Sequence, residues 1–357
     1  MTIPPPSPRL NALATAVPAH DIHAAFIDWA TPRLADERVR AIFSRMTARS
    51  GIDHRWSVLP PTATGGSPVA AGGFYDTPGL PPTSARMRAY ANHAPDLAMQ
   101  AIAALGDAFD AARITHVVVA SCTGFVAPGI DQILSRRLGL EATVERVLIG
   151  FMGCYAGVTA LRTARHIVRS DPDAVVLVVS VELSTLHLQL ADEPEPLLAM
   201  LQFSDGAAAA IVSADPVGFA LGDGTSLALE DSADLIRWDI GDTGFAMQLS
   251  GEVPGRLRDA LAAPAVRDRL FGVGDPPPLL AVHAGGRSVL DAVEHALNVP
   301  AAALSDSRAV LARFGNMSSA TILFVLADMM ARGATGEGLA IAFGPGLAAE
   351  AIRFTAT

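Results

Sequence analysis

Short, continuous apolar runs alternate with helix-like stretches through most of this chain, and that alternation constrains the fold more than any other feature. His116 to Ala120, Val144 to Ile149, Ala174 to Val181, Ala207 to Ser213, Leu279 to Val282 and Leu339 to Phe343 read as buried strands. Ile130 to Leu138, Tyr155 to Val168, Arg287 to Leu297 and Ser318 to Ala331 read as helices between or after them. A strand that is apolar along its whole length is covered on both faces, and alternation with helices predicts an α/β protein with a mostly parallel sheet. The theme occurs twice, which suggests an internally doubled fold with halves 1–215 and 216–357. Before it, residues 10–110 read as helices and loops. Asp36 is placed to cap a helix through Val39, Ile42, Phe43 and Met46 that stops at Gly51. Pro60 to Pro82, rich in Pro, Gly, Ser and Thr, reads as an exposed loop. No short-period repeat or heptad pattern is present.

Composition narrows the class. Of 357 residues, 50% are hydrophobic and 17% charged, enough to bury a large core and too apolar for disorder. Mean hydropathy is +0.35, so a membrane span needs checking. The longest uncharged stretch outside the Pro- and Gly-rich segment 56–75, Val147 to Leu161, is interrupted by Gly150, Gly153 and Gly157. It falls short of the roughly 18–20 apolar residues a span requires. The expectation is a chain without a membrane span that buries much surface, a subunit interface included. A net charge of −10 argues against a nucleic-acid surface. Met1 to Arg9 lacks the apolar segment of a secretory signal. Two cysteines, Cys122 and Cys154, make neither a disulfide framework nor a zinc cage, so a cytoplasmic protein with free thiols is expected. All 26 basic residues are arginine. That excludes Schiff-base lysine chemistry and a P-loop, which needs a lysine on the phosphates.

The strongest local signal is Gly150-Phe151-Met152-Gly153-Cys154-Tyr155-Ala156-Gly157. A strand ends, glycines permit a tight turn, and Cys154 opens a helix, whose N-terminus favours a thiolate. A buried structural cysteine among packing glycines is the competing reading. A nucleophilic cysteine needs a base and a stabiliser of oxyanion or enolate charge. His283 stands at the end of an apolar strand, in Val282-His283-Ala284-Gly285-Gly286, where a satisfied core histidine is the alternative. Asn316 precedes an apolar helix in Gly315-Asn316-Met317-Ser318-Ser319-Ala320, where helix capping is the alternative. All three fall at strand–helix junctions, where α/β folds place their ligands.

These segments, with Phe203-Ser204-Asp205-Gly206-Ala207-Ala208 and Phe343-Gly344-Pro345-Gly346, resemble the type III polyketide synthases, the chalcone-synthase-like branch of the thiolase superfamily, from about residue 40 to the C-terminus. The resemblance implies a thiolase-like doubled α/β fold layered αβαβα. It implies a homodimer that takes acyl-CoA and malonyl-CoA and needs no cofactor or metal. Cys154 would hold the growing chain as a thioester, and His283 would keep it as thiolate. With Asn316, His283 would bind the malonyl thioester carbonyl and stabilise the enolate left by decarboxylation. Phe203 and Phe245 match the gatekeeping phenylalanines. Thr123, Ser184 and Ser318 match pocket positions, and Gly344, Pro345 and Gly346 the cyclisation loop. Arg45 and Arg49, four apart on one helix face, match cations that meet CoA phosphates. A third such position, often lysine in the family, is Ile42 here, so that contact is missing or supplied elsewhere.

Three departures bear on the product. Cys122 stands where plant enzymes have threonine, either as a small wall residue or as a second reactive thiol. Ala127 replaces a bulkier residue that reaches into the partner subunit's cavity, which enlarges the pocket. His187 replaces a small residue, and either narrows the pocket, bonds an intermediate or points elsewhere. The enlarged pocket leans toward aliphatic or fatty acyl starters and pyrone or resorcinol products. The rivals are an initiation ketosynthase that condenses once, a papain-like Cys–His–Asn hydrolase, and a catalytically dead acyl-CoA-binding homologue.

Overall fold

The computed structural model describes residues 7–357. Its strands are β1 (Arg9–Ala16), β2 (His20–Asp21), β3 (Trp56–Ser57), β4 (His116–Ser121), β5 (Glu145–Gly150), β6 (Val176–Leu183), β7 (Asp205–Ser213), β8 (Phe219–Ala228), β9 (Ile236–Gly241), β10 (Gly244–Leu249), β11 (Leu279–Val282), β12 (Gly336–Gly344) and β13 (Ala348–Ala356). Nine of them form one sheet in the order β11-β12-β13-β8-β1-β7-β6-β4-β5. Parallel ladders join β4 to β5, β4 to β6 and β11 to β12. The five ladders between them, from β12–β13 through β8 and β1 to β6–β7, are antiparallel. The expectation of a mostly parallel sheet is thereby corrected. Continuous apolar runs report that both faces are covered and carry no information on strand direction. Direction follows from the connections, and the short Pro345–Leu347 turn obliges β12 and β13 to run antiparallel.

Alternate side chains of single strands feed different cores, and this defines the layers. Val117, Val119, Leu177, Val179, Ala207 and Ala209 pack with the long helix Thr83–Ala103 on one outer face. Their neighbours Val118, Val176, Val178, Ala208 and Ala210 point the other way, into a central core with the helices Ala156–Ser170 and Thr321–Ala331. On the far side β12 divides likewise. Ala340 and Ala342 enter the central core, while Leu339, Ile341 and Phe343 join an outer core with the helices Val253–Ala262 and Arg287–Leu297. The period of two in side-chain direction thus yields a helix–sheet–helix–sheet–helix stack. Burying a Val or Leu side chain stabilises by about 1.5–3 kcal/mol, and both faces of the inner strands contribute.

Several segments differ from their sequence reading. Asp36 does cap the helix Glu37–Ala48, accepting from the backbone N–H groups of Arg38 and Val39 at 2.7 and 3.2 Å. Residues 60–82 carry no regular element, yet Thr62, Tyr75 and Leu80 are buried. The Tyr75 hydroxyl donates to the Thr185 carbonyl, so this loop packs as a wall instead of standing exposed. Among the described residues no helix is long and apolar enough to cross a membrane.

Candidate active site

The outermost strands of the sheet order, β5 and β11, carry the two reactive side chains just beyond their C-terminal ends. Cys154 follows β5 and His283 follows β11. The halves of the sheet face each other across the central helices, and the segments that follow the two edge strands line the same cavity. Asn316 arrives from the segment before the central helix Thr321–Ala331. Its backbone pairs with the Phe203 segment, its N–H donating to Gln202 O at 2.8 Å and its carbonyl accepting from Ser204 N–H at 2.9 Å. Cys154, His283, Asn316, Phe203 and Gly344 line one cavity of about 510 Å³. The expected catalytic set is therefore brought together.

Close backbone approach builds the turn. Gly153 has φ +81°, and a Cβ there would sit 2.3 Å from Pro345 Cδ. A Cβ on Gly157 would meet the Ser319 carbonyl oxygen at 2.2 Å. Gly344-Pro345-Gly346 and Met317-Ser318-Ser319 thus pack directly on the turn that presents Cys154. Glycine removes the obstacle at both contacts. The turn itself precedes the helix Ala156–Ser170 by one residue beyond Cys154.

The Asn316 amide has a fixed orientation. Oδ1 accepts from Ser318 N–H at 2.8 Å, so the amide nitrogen is the other arm, and it donates one hydrogen to Gly285 O at 3.2 Å. The second N–H lies within reach of Cys154, where it favours the thiolate, and is the donor a ligand would meet. Burial pushes the Cys154 thiol up to about 12; the Ser318 hydrogen bond opposes this and the Glu182 charge adds to it. Burial alone holds His283 down at about 3, and neither ring nitrogen has a hydrogen-bond partner among the described residues. Burial thus favours the uncharged form of both groups. Separating charge between thiol and imidazole in a largely apolar cavity is costly unless the two hydrogen-bond.

The remaining expected pocket residues divide. Phe203 also lines a second cavity of about 90 Å³ with Phe245, Ser184 and His187, and Ala199 and Met247 border both spaces. His187 is settled by its bonds. Nε2 donates to Thr123 O at 2.7 Å, and Nδ1 accepts from Phe245 N–H at 3.1 Å. Its ring stacks on Phe245 at 4.2 Å, and burial lowers its pKa to about 3. With both nitrogens committed, it is a fixed, neutral wall.

Cys122, Thr123 and Ser318 belong to a polar cluster around Glu182. Cys122 Sγ and Thr123 Oγ1 donate to the carboxylate at 2.9 and 2.8 Å, as does Ser319 Oγ. Ser318 Oγ lies 3.4 Å from Cys122 Sγ. Burial raises the Glu182 pKa against these donors and drives the Cys122 thiol well above its ordinary value, and Cys122 is a buried thiol bonded to Glu182 that lines neither cavity. Ala127, exposed, lines neither cavity of its own chain. Arg45 and Arg49 are exposed, on the helix whose Ile42 and Met46 line the Cys154 cavity.

Sequence reasoning missed Glu182, Trp238 and Met247. A carboxylate closing the apolar run of β6 is a signal that was available for Glu182. Trp238 and Met247 lie on the hairpin β9–β10, whose first strand alternates Ile236, Trp238 and Ile240 with Arg237 and Asp239, a signal that was also available.

Layering and cavity together define the class, a thiolase-like α/β acyltransferase. Family models of chalcone and stilbene synthases match it throughout, the N-terminal domain over residues 9–216 and the C-terminal domain over 224–356. The alpha-pyrone synthesis polyketide synthase-like Pks18 of Mycobacterium tuberculosis is 34% identical over 285 residues, 75% of this chain and 72% of that protein. PKS-I from the brown alga Ectocarpus siliculosus superposes with a TM-score of 0.87 at 26% identity, over 100% of both chains. The C-terminal type III domain of Steely1 from Dictyostelium gives 0.86 at 24%, over 98% of this chain and 99% of that one. The chain belongs to the chalcone and stilbene synthase family and is a type III polyketide synthase. The papain-like reading falls with the fold, and the single-condensation ketosynthase reading with the family match.

Proposed function

We propose that the enzyme loads an acyl group from a CoA thioester onto Cys154, extends it by repeated decarboxylative condensation with malonyl-CoA, and releases it by ring closure. The observation that carries this reading is the convergence of Cys154, His283 and Asn316, from three separate segments, on one largely apolar cavity. As the thiol attacks the thioester, its proton passes to the neutral His283 imidazole and from there to the departing CoA thiolate. In the extension step, loss of carbon dioxide builds negative charge on the malonyl thioester oxygen. The second Asn316 amide N–H and a His283 N–H are the donors that stabilise it. No resident cofactor has a part in this scheme, and the two halves divide near residue 215.

Pyrone release is the favoured outcome, because a relative at 34% identity carries alpha-pyrone synthesis in its name. A cytoplasmic homodimer is part of the proposal. Phe125, Val147, Leu148 and Phe151 are 38–47% exposed on and beside β5, an edge strand of the sheet. Such a patch on an open edge favours a second copy. Incubation with malonyl-CoA and a panel of acyl-CoA starters, read by mass spectrometry, tests the function. Carbon dioxide release with starter-dependent pyrone masses is expected; no extension of any starter overturns it.

A further inference from the structure

The mouth of the Cys154 cavity is bordered by two elements. Ile42 and Met46 come from the helix Glu37–Ala48, and Gly285, Ser288 and Val289 from the start of the helix Arg287–Leu297. Arg45 and Arg49 share the face of the first helix that carries Ile42 and Met46, since residues three and four apart are neighbours there. The first residue of the second helix is Arg287. Its Nη1 donates to the Arg49 carbonyl oxygen at 3.1 Å. Its Cβ and Cδ lie 3.9 Å from where a side chain on Gly51 would begin. Arg287 is thereby held against the Arg49–Gly51 segment that ends the first helix, and three exposed arginines border the mouth from the two elements.

Beyond the Nη1 bond to the Arg49 carbonyl, the guanidinium of Arg287 has only an exchangeable partner. Its Nε is 3.5 Å from Asp291 Oδ2, both side chains being about half exposed. Asp291 is already engaged by Arg308 at 2.8 Å through its other oxygen. An exposed ion pair of that length is weak and readily exchanged, whereas a phosphate accepts two parallel bonds from one guanidinium. Position 42, on the same rim, is an isoleucine and offers no cation.

We infer that Arg287 is the third phosphate anchor of this rim, gripping the phosphorylated end of a CoA carrier from the second helix beside Arg45 and Arg49. The inference rests on the reading of the cavity as a CoA-thioester site. It makes the two elements of the mouth close on one ligand.

Calorimetric titration of the full-length protein with CoA and with pantetheine, which lacks the phosphates, tests it. Arg287→Gln is expected to weaken CoA binding about ten-fold and to leave pantetheine binding unchanged, with Arg287→Lys recovering most of the loss. Added salt is expected to weaken CoA binding more steeply in the wild type than in Arg287→Gln. In turnover, Arg287→Gln raises the KM for malonyl-CoA by a similar factor, and both kcat and the KM for malonyl-N-acetylcysteamine stay within two-fold. An unchanged CoA affinity in Arg287→Gln overturns the inference, as does an equal loss for CoA and pantetheine, which reports a displaced helix. Wild-type protein that binds CoA no better than pantetheine also overturns it. Failure of the proposed function is read separately, as wild-type protein that binds CoA but extends no starter.

Discussion

At Cys154 the deciding quantity is the cost of charge in a closed apolar cavity. A thiol raised to about 12 and an imidazole lowered to about 3 are both neutral at physiological pH. Iodoacetamide alkylation of Cys154, followed by peptide mapping, is therefore expected to accelerate about ten-fold per pH unit from pH 6 to 9. A preformed ion pair would give a flat profile over the same range. Glu182 contributes to the high value through its negative charge, so Glu182→Gln lowers the thiol pKa and speeds alkylation about three- to ten-fold at fixed pH. The same substitution sets an amide N–H against the donors of Cys122, Thr123 and Ser319, and stability falls by about 1–3 kcal/mol. An unchanged alkylation rate with lowered stability would remove Glu182 from the electrostatics of the site. The identities of Cys154, His283 and Asn316 were legible in the sequence because each sits at a glycine-flanked junction. Their protonation was not, because it depends on burial and on hydrogen bonds made by Ser318 and Gly285 from distant segments. His187 shows the same limit: its position was readable, its two backbone partners were not.

Among the elements, the helix Ala156–Ser170 is seated against Ser319 through Gly157, with no room for one methyl group. Gly157→Ala is expected to lower stability by about 1–3 kcal/mol, seen as a fall in Tm. It is also expected to reduce extension activity, because it shifts Cys154 relative to Asn316. Wild-type Tm and activity in this variant would show that the packing is looser than described. Strands covered on both faces, such as β4, β6 and β7, were legible as unbroken apolar runs. The helix capped by Asp36 was legible from its cap and its apolar face. The hairpin β9–β10 carried a signal that was not read, the alternation of Ile236, Trp238 and Ile240 with Arg237 and Asp239. The segment 60–82 was read correctly as irregular, but turn residues give no sign that Tyr75 folds inward.

For the molecule as a whole, the doubled layering follows from the alternation along single strands, and so the fold class was legible from the inner strands alone. Strand direction was not, because it is set by turns such as Pro345–Leu347 and by the pairing of β1 with β8. The proposed assembly rests on the exposed apolar patch at the edge strand β5. Leu148→Arg places a charge in that patch and is expected to convert a dimer into monomers in sedimentation velocity, with the fold retained by circular dichroism. A wild-type monomer at micromolar concentration would contradict the proposed assembly.

The central claim is that Cys154 carries the acyl chain. Intact-protein and peptide mass spectrometry after brief incubation with an acyl-CoA starter tests it most directly. The account predicts one acyl adduct, mapped to the peptide containing Cys154 and absent from Cys154→Ala, which also loses all extension. An adduct on Cys122 in the wild type, or extension that survives in Cys154→Ala, would contradict it.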